Sequence, residues 1–91
     1  MPVKVKIPAQ LRPATGGEGE IEVEAGTVGD ALDAVFEKHD GLRERITEDG
    51  DLRRFVNVYV GGEDIRFLEG LETAVEDGDE VTILPAVAGG S

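Results

Sequence analysis

The hydrophobic pattern predicts an α+β fold: a mixed sheet of four to five strands, covered on one face by one main helix. Three observations carry this. Period-two runs at both ends of the chain read as strands with one buried face. A single 3.6-period run lies between them, at Val28, Ala31, Leu32, Val35 and Phe36. The length of 91 residues suits one small domain, and at that size the core must be compact.

The first strand is Val3-Lys4-Val5-Lys6-Ile7, with the valines and Ile7 inward; Pro8 and Pro13 end it. Thr15-Gly16-Gly17-Glu18-Gly19 reads as a turn, because glycine tolerates positive φ. Alternation resumes at Glu20-Ile21-Glu22-Val23-Glu24, so the two runs are expected to form a hairpin. Its outer face sets Lys4 and Lys6 against the glutamate row, and opposite charges across strands attract. Thr27 is the expected helix N-cap, with Asp30 in a shortened capping box. The helix is expected over roughly 28–39, with Gly41 as its C′ residue. Gly29, in its first turn, costs up to about 1 kcal/mol against alanine, so the helix needs tertiary support.

Leu42 and Ile46, spaced by four, predict a short helical turn; Thr47 to Asp51 reads as a loop without calcium-loop spacing. Arg54-Phe55-Val56-Asn57-Val58-Tyr59-Val60 is the clearest strand. Gly61-Gly62 turns it into a short strand, Glu63-Asp64-Ile65-Arg66-Phe67. After the turn at Glu76-Asp77-Gly78-Asp79 comes the last strand, Glu80 to Val87, with Val81 and Ile83 inward and Thr82 and Leu84 outward. Pro85 lacks an N–H and belongs where one ladder bond can be missing. The order β-β-α-β-(short β)-β, with one helix over the sheet, is that of a β-grasp. The first and last strands are expected to pair in parallel at its centre. The domain is expected over 1–87, with an unanchored tail over 88–91.

Nine Lys and Arg against 20 Asp and Glu give a net charge of −11. Such a surface repels phosphate, which argues against nucleic acid. It fits docking to a basic partner surface, and equally fits mere solubility. The absence of cysteine removes disulfides, thiolate metal sites and cysteine nucleophiles together. His39 alone cannot make a histidine metal site, and near the helix end its expected role is structural; no metal and no cofactor are expected. No apolar run is long enough for a membrane span or a secretory leader, so the cytoplasm is the expected compartment. Arg12, Arg53 and Arg66 are expected only to pair with acids of the chain itself.

That leaves the chain end. Of three Gly-Gly pairs, two sit between strands as turns; Gly89-Gly90 follows the last strand. Terminal glycines are commonly no more than a frayed end. Here, however, Ala88-Gly89-Gly90 extends the strand expected at the sheet centre. An arm without Cβ atoms can thread a narrow cleft in another enzyme. The reactive group would then be a backbone carboxylate, which needs activation before oxygen can be displaced. Tyr59 and Leu84, outward on adjacent strands beside the arm, are candidate docking residues, although single exposed apolar side chains are ordinary.

The stretches Arg54 to Val60, Glu63 to Phe67 and Asp77-Gly78-Asp79 through Gly89-Gly90 closely resemble the ubiquitin-like sulfur carriers of the MoaD/ThiS family. The likeness runs from the Val3 strand to the diglycine, and Arg54-Phe55-Val56-Asn57 leans toward the branch that serves cysteine biosynthesis. The resemblance implies a carrier that is not itself an enzyme and has no catalytic residues. An ATP-dependent ubiquitin-activating-like enzyme (MoeB/ThiF type) would adenylate the Gly90 carboxylate, and sulfide would convert it to a thiocarboxylate. A PLP-dependent cysteine synthase-like enzyme would take the sulfur to an activated serine derivative. A zinc metalloprotease of the JAMM type would release the cysteine formed on Gly90. Ser91 departs from the family's Gly-Gly end, so its removal is expected first, unless Ser91 is an added residue. Two rivals share the activation chemistry: a protein modifier conjugated to lysines, and the small subunit of molybdopterin synthase.

Overall fold

A computed structural model describes residues 2–48, 51–52 and 56–85. Strands β1 (Pro2–Lys6) and β2 (Glu20–Glu24) precede helix α1 (Val28–Lys38). Helix α2 (Gly41–Ile46), the strand pair β3 (Thr47–Glu48) and β4 (Asp51–Leu52), then β5 (Val56–Val60), β6 (Glu63–Asp64) and β7 (Glu80–Pro85) complete the order. The main sheet has five strands in the order β2-β1-β7-β5-β6, and β3 and β4 form a separate pair. β1 and β7 run parallel at the centre, and the other pairings are antiparallel. This is the β-grasp arrangement.

The period-two reading holds residue by residue. Val3, Val5, Ile21, Val23, Val56, Val58, Val81 and Ile83 are buried. They meet Val28, Ala31, Leu32, Val35 and Phe36 of α1 in one apolar core. Lys4 pairs with Glu22 and Lys6 with Glu20 in register, as the charges predict. The ion pairs themselves lie off register: Lys4 Nζ is 3.9 Å from Glu20, and Lys6 Nζ is 3.5 Å from Glu80. All four side chains are about half exposed, so these pairs add little stability.

The Thr27 hydroxyl accepts the Asp30 N–H at 3.1 Å and caps α1 as expected. The tertiary support that Gly29 requires comes from residues 70–75. The Val28 N–H donates to Thr73 O at 2.9 Å, and the Val75 N–H donates to Gly26 O at 3.0 Å. A Cβ on Gly29 would lie 3.1 Å from Leu71 O, so glycine lets this segment close on the helix.

Four expectations need correction. The β1–β2 connection is not a turn alone; a 3₁₀ segment, Ala9–Thr15, precedes it and buries Leu11 and Thr15. Gly41 is not the C′ residue of α1. His39 caps the helix, and Gly41 opens α2, because burying Leu42 and Ile46 bends the chain straight back into a helix. Thr47 to Asp51 is not a plain loop: Thr47 pairs with Leu52 and Glu48 with Asp51. The short strand after Gly61-Gly62 stops at Asp64, and Ile65–Phe67 is a 3₁₀ turn. With three residues per turn rather than two, Ile65 and Phe67 no longer share a face; Ile65 is buried and Phe67 exposed. Arg53, Arg54 and Phe55 lie outside the described residues.

Candidate functional site

The strand leading to the diglycine is the central one, held by β1 on one side and β5 on the other. The two neighbours do not accompany it equally far. β1 pairs with β7 only through Lys6↔Thr82, whereas β5 continues through Asn57↔Leu84 and Val56↔Pro85. Pro85 thus sits past the β1 ladder, where its missing N–H costs no bond on that side. The outgoing end of β7 is anchored by β5, so whatever follows Pro85 starts from a fixed point. Ala88, Gly89, Gly90 and Ser91 lie outside the described residues.

The outer sheet face beside this exit is built by alternation. Thr82 and Leu84 of β7 and Asn57 and Tyr59 of β5 face away from the core, because their neighbours Val58, Val81 and Ile83 fill it. Tyr59 pairs with Thr82 and Asn57 with Leu84, which makes Tyr59 and Leu84 diagonal neighbours on one face. Leu84 is 45% exposed and Tyr59 half-buried. The two predicted docking residues are therefore brought together.

Arg66 reaches this surface, and Phe67 follows it in the chain. The Arg66 guanidinium donates from Nη1 to Asn57 Oδ1 at 2.7 Å and from Nη2 to Val56 O at 2.9 Å. These partners are an amide and a carbonyl, not the acids expected from sequence. The sequence does contain a signal for this contact. Continuing the hairpin register Val60↔Glu63 and Tyr59↔Asp64 two residues further sets Arg66 opposite Asn57. Phe67, next in the chain, is 84% exposed, the largest exposure of any large apolar side chain described.

Elsewhere the polar residues have structural work. Arg12 Nε donates to Ile7 O at 3.1 Å, and His39 Nε2 lies 3.0 Å from Glu18 Oε2, tying the end of α1 to the glycine-rich turn. Among the described residues no cluster of three metal-ligating side chains occurs. An open groove between β2 and α1 is lined by Glu22, Glu24, Glu37 and Lys38. A smaller hollow lies against Phe36, whose ring carries the Arg43 guanidinium at 5.3 Å. Neither holds a serine, cysteine or histidine. None of the described helices is long and apolar enough to cross a membrane.

The family model that matches the chain is that of the ThiS family, over residues 5–90. The chain belongs to the ThiS family. This ThiS-family chain is 48% identical over 93 residues to the sulfur carrier protein CysO of Mycobacterium tuberculosis, covering 99% of this chain and 100% of that protein. Small archaeal modifier protein 3 of Haloferax volcanii is 45% identical over 64 residues, 70% of each chain. Among solved structures, a chain of the Amycolatopsis orientalis BexX/CysO complex superposes with a TM-score of 0.90 at 50% identity, covering 96% of this chain and 98% of that one.

Proposed function

We propose that this chain is a sulfur carrier protein, itself no enzyme, which works through a carboxylate at Gly90. What carries the reading is a diglycine four positions beyond Pro85 of the central strand, in a chain 48% identical to a sulfur carrier protein along nearly its whole length. In this reading the domain over 1–87 is the handle and 88–91 the working arm. Gly89 and Gly90 have no Cβ, so the arm needs only a backbone-wide cleft.

The chemistry follows from the carboxylate. Its oxygen attacks the α-phosphorus of ATP on a MoeB/ThiF-type activating enzyme, pyrophosphate leaves, and an acyl adenylate forms. Hydrosulfide then adds to the acyl carbon and AMP leaves, giving the thiocarboxylate. In the cysteine branch, a PLP-dependent synthase carries that sulfur to an activated serine derivative. An S-to-N shift leaves the new cysteine amide-linked to Gly90, and a JAMM-type zinc metalloprotease cleaves it off. On this reading the chain works in the cytoplasm. Gly90 is followed by Ser91, so the Gly90–Ser91 bond must be cut before Gly90 can be activated. The same protease type suits this cut, since serine differs from cysteine by one atom. Tyr59 and Leu84 dock the activating enzyme beside the arm.

The test compares a form ending at Gly90 with the form retaining Ser91, each incubated with purified activating enzyme, ATP and sulfide. Only the Gly90 form should gain a thiocarboxylate; equal conversion contradicts the processing step. The likeness to a small archaeal modifier protein supports the second reading, conjugation to lysines. A denaturing gel of cell lysate probed for the chain separates the two. One small species fits carriage, and a ladder of heavier adducts fits modification.

A further inference from the structure

The outer sheet face is not electrically uniform. Strand β2 lines one edge with Glu20, Glu22 and Glu24, and the register sets Lys4 and Lys6 of β1 beside them. Lys6 is engaged by Glu80, at the start of β7 rather than at its outgoing end. The row nearest the outgoing end is Leu84–Asn57, with the Arg66 guanidinium resting on Asn57. The nearest carboxylate in register is Asp64, paired with Tyr59, and its Oδ1 is already taken by the Arg66 backbone N–H at 2.8 Å. In a molecule of net charge −11, the end of the sheet from which the arm departs thus presents a cation.

That cation is held in place. A guanidinium has five N–H donors in a planar fork. Arg66 spends one on Asn57 and one on Val56, and its other donors have no partner among the described residues. The side chain is exposed, yet two hydrogen bonds fix its plane, so most of the entropy cost of ordering it is met before a partner arrives. Exposed Leu84 and Phe67 lie beside it in register and in sequence. Arginine next to aromatic and apolar side chains is the composition found at energetic centres of interfaces. A fixed guanidinium fork matches a carboxylate in a bidentate pair.

We propose that Arg66 sets the register of the docking face by receiving a carboxylate of the activating enzyme beside Leu84. This rests on the carrier reading above. The acidic bulk of the chain steers it toward a basic surface, which does not by itself fix rotation about the docking axis. A cation held at the outgoing end, away from Lys4 and Lys6 at the other end of the face, fixes it, because a misrotated complex would set Arg66 against a basic group. With the rotation set, the strand that ends at Pro85 aims the arm at the cleft.

The experiment is steady-state adenylation by the MoeB/ThiF-type enzyme of the source cells, read as ATP–pyrophosphate exchange. The carriers are the wild-type chain ending at Gly90, Arg66→Glu, Arg66→Gln and Arg66→Lys, with thermal melts of each. Arg66→Glu should raise KM by roughly tenfold or more with kcat within about twofold, because only encounter and docking are lost. Arg66→Lys should fall between wild type and Arg66→Gln, keeping charge without the fork. Arg66→Gln should also show a smaller change in KM between low and high salt than wild type. Should Arg66→Glu not fold, Arg66→Gln carries the comparison. A folded Arg66→Glu or Arg66→Gln with KM within about twofold of wild type overturns the proposal. A wild-type chain that is never adenylated overturns the carrier reading instead, and is distinguishable because no variant is then needed.

Discussion

Gly29 shows how one residue can oppose its own element. Glycine weakens a helix by about 1 kcal/mol against alanine, and α1 carries it in the first turn. The reason is Leu71, whose carbonyl would lie 3.1 Å from an added Cβ. That carbonyl cannot retreat easily, because backbone bonds from Val28 to Thr73 and from Val75 to Gly26 tie the chain just after it to the start of the helix. Gly29→Ala is therefore expected to destabilise by about 1 kcal/mol or more despite the better propensity; a urea midpoint above wild type would contradict this. Thr27→Ala removes the cap to the Asp30 N–H and should cost about 1 kcal/mol, seen as a drop of about 4–8 °C in Tm. The cap was legible in the sequence, since Thr27 directly precedes the apolar stripe. The requirement at Gly29 was not, because its cause lies in residues 70–75, far away along the chain. Leu84→Glu should raise KM for adenylation by about tenfold while leaving Tm within a few degrees, because the side chain faces out.

At the scale of elements, β7 completes the core and, in the proposed function, carries the arm. Val81 and Ile83 are fully buried between β1 and β5. Ile83→Ala should cost about 2–5 kcal/mol, a large share of what a domain of this size has. Denaturant unfolding should show a lower midpoint with unchanged slope; a loss under 1 kcal/mol would mean that β7 is not central. The strand pattern and the parallel pairing of first and last strands were readable from alternation and from the position of the helix. The 3₁₀ segments were not. Ala9–Thr15 holds two buried residues, Leu11 and Thr15, four apart, a spacing that the strand and α-helix templates both allow and that therefore does not point to a 3₁₀ segment. Ile65–Phe67 resembles alternation because three residues are too few to separate the two periods. That misreading gave no hint that Phe67 is exposed while Ile65 is buried. The contact between Arg66 and Asn57 was within reach, needing only the hairpin register carried past Asp64.

The whole molecule is a small sheet-and-helix body with a strong negative charge. Net charge −11 on 91 residues stores self-repulsion in the folded state. The exposed pairs Lys4–Glu20 and Lys6–Glu80 offset little of it. Added sodium chloride should therefore raise Tm, since it screens more repulsion than attraction; a fall in Tm would mean that ion pairs dominate. In the docking proposed above, the same charge steers the chain to its partner, and the sheet end at Leu84 and Arg66 sets the orientation. The diglycine stood out in the sequence because the predicted fold already explained the other two pairs. What the carboxylate does was legible only through the resemblance, because a backbone arm has no side-chain chemistry to read.

The most direct test is the intact mass of the chain purified from its own cells. The account predicts loss of the Ser91 residue together with exchange of one carboxylate oxygen for sulfur. A mass matching all 91 residues, unchanged after incubation with ATP, sulfide and extract of the same cells, would contradict it.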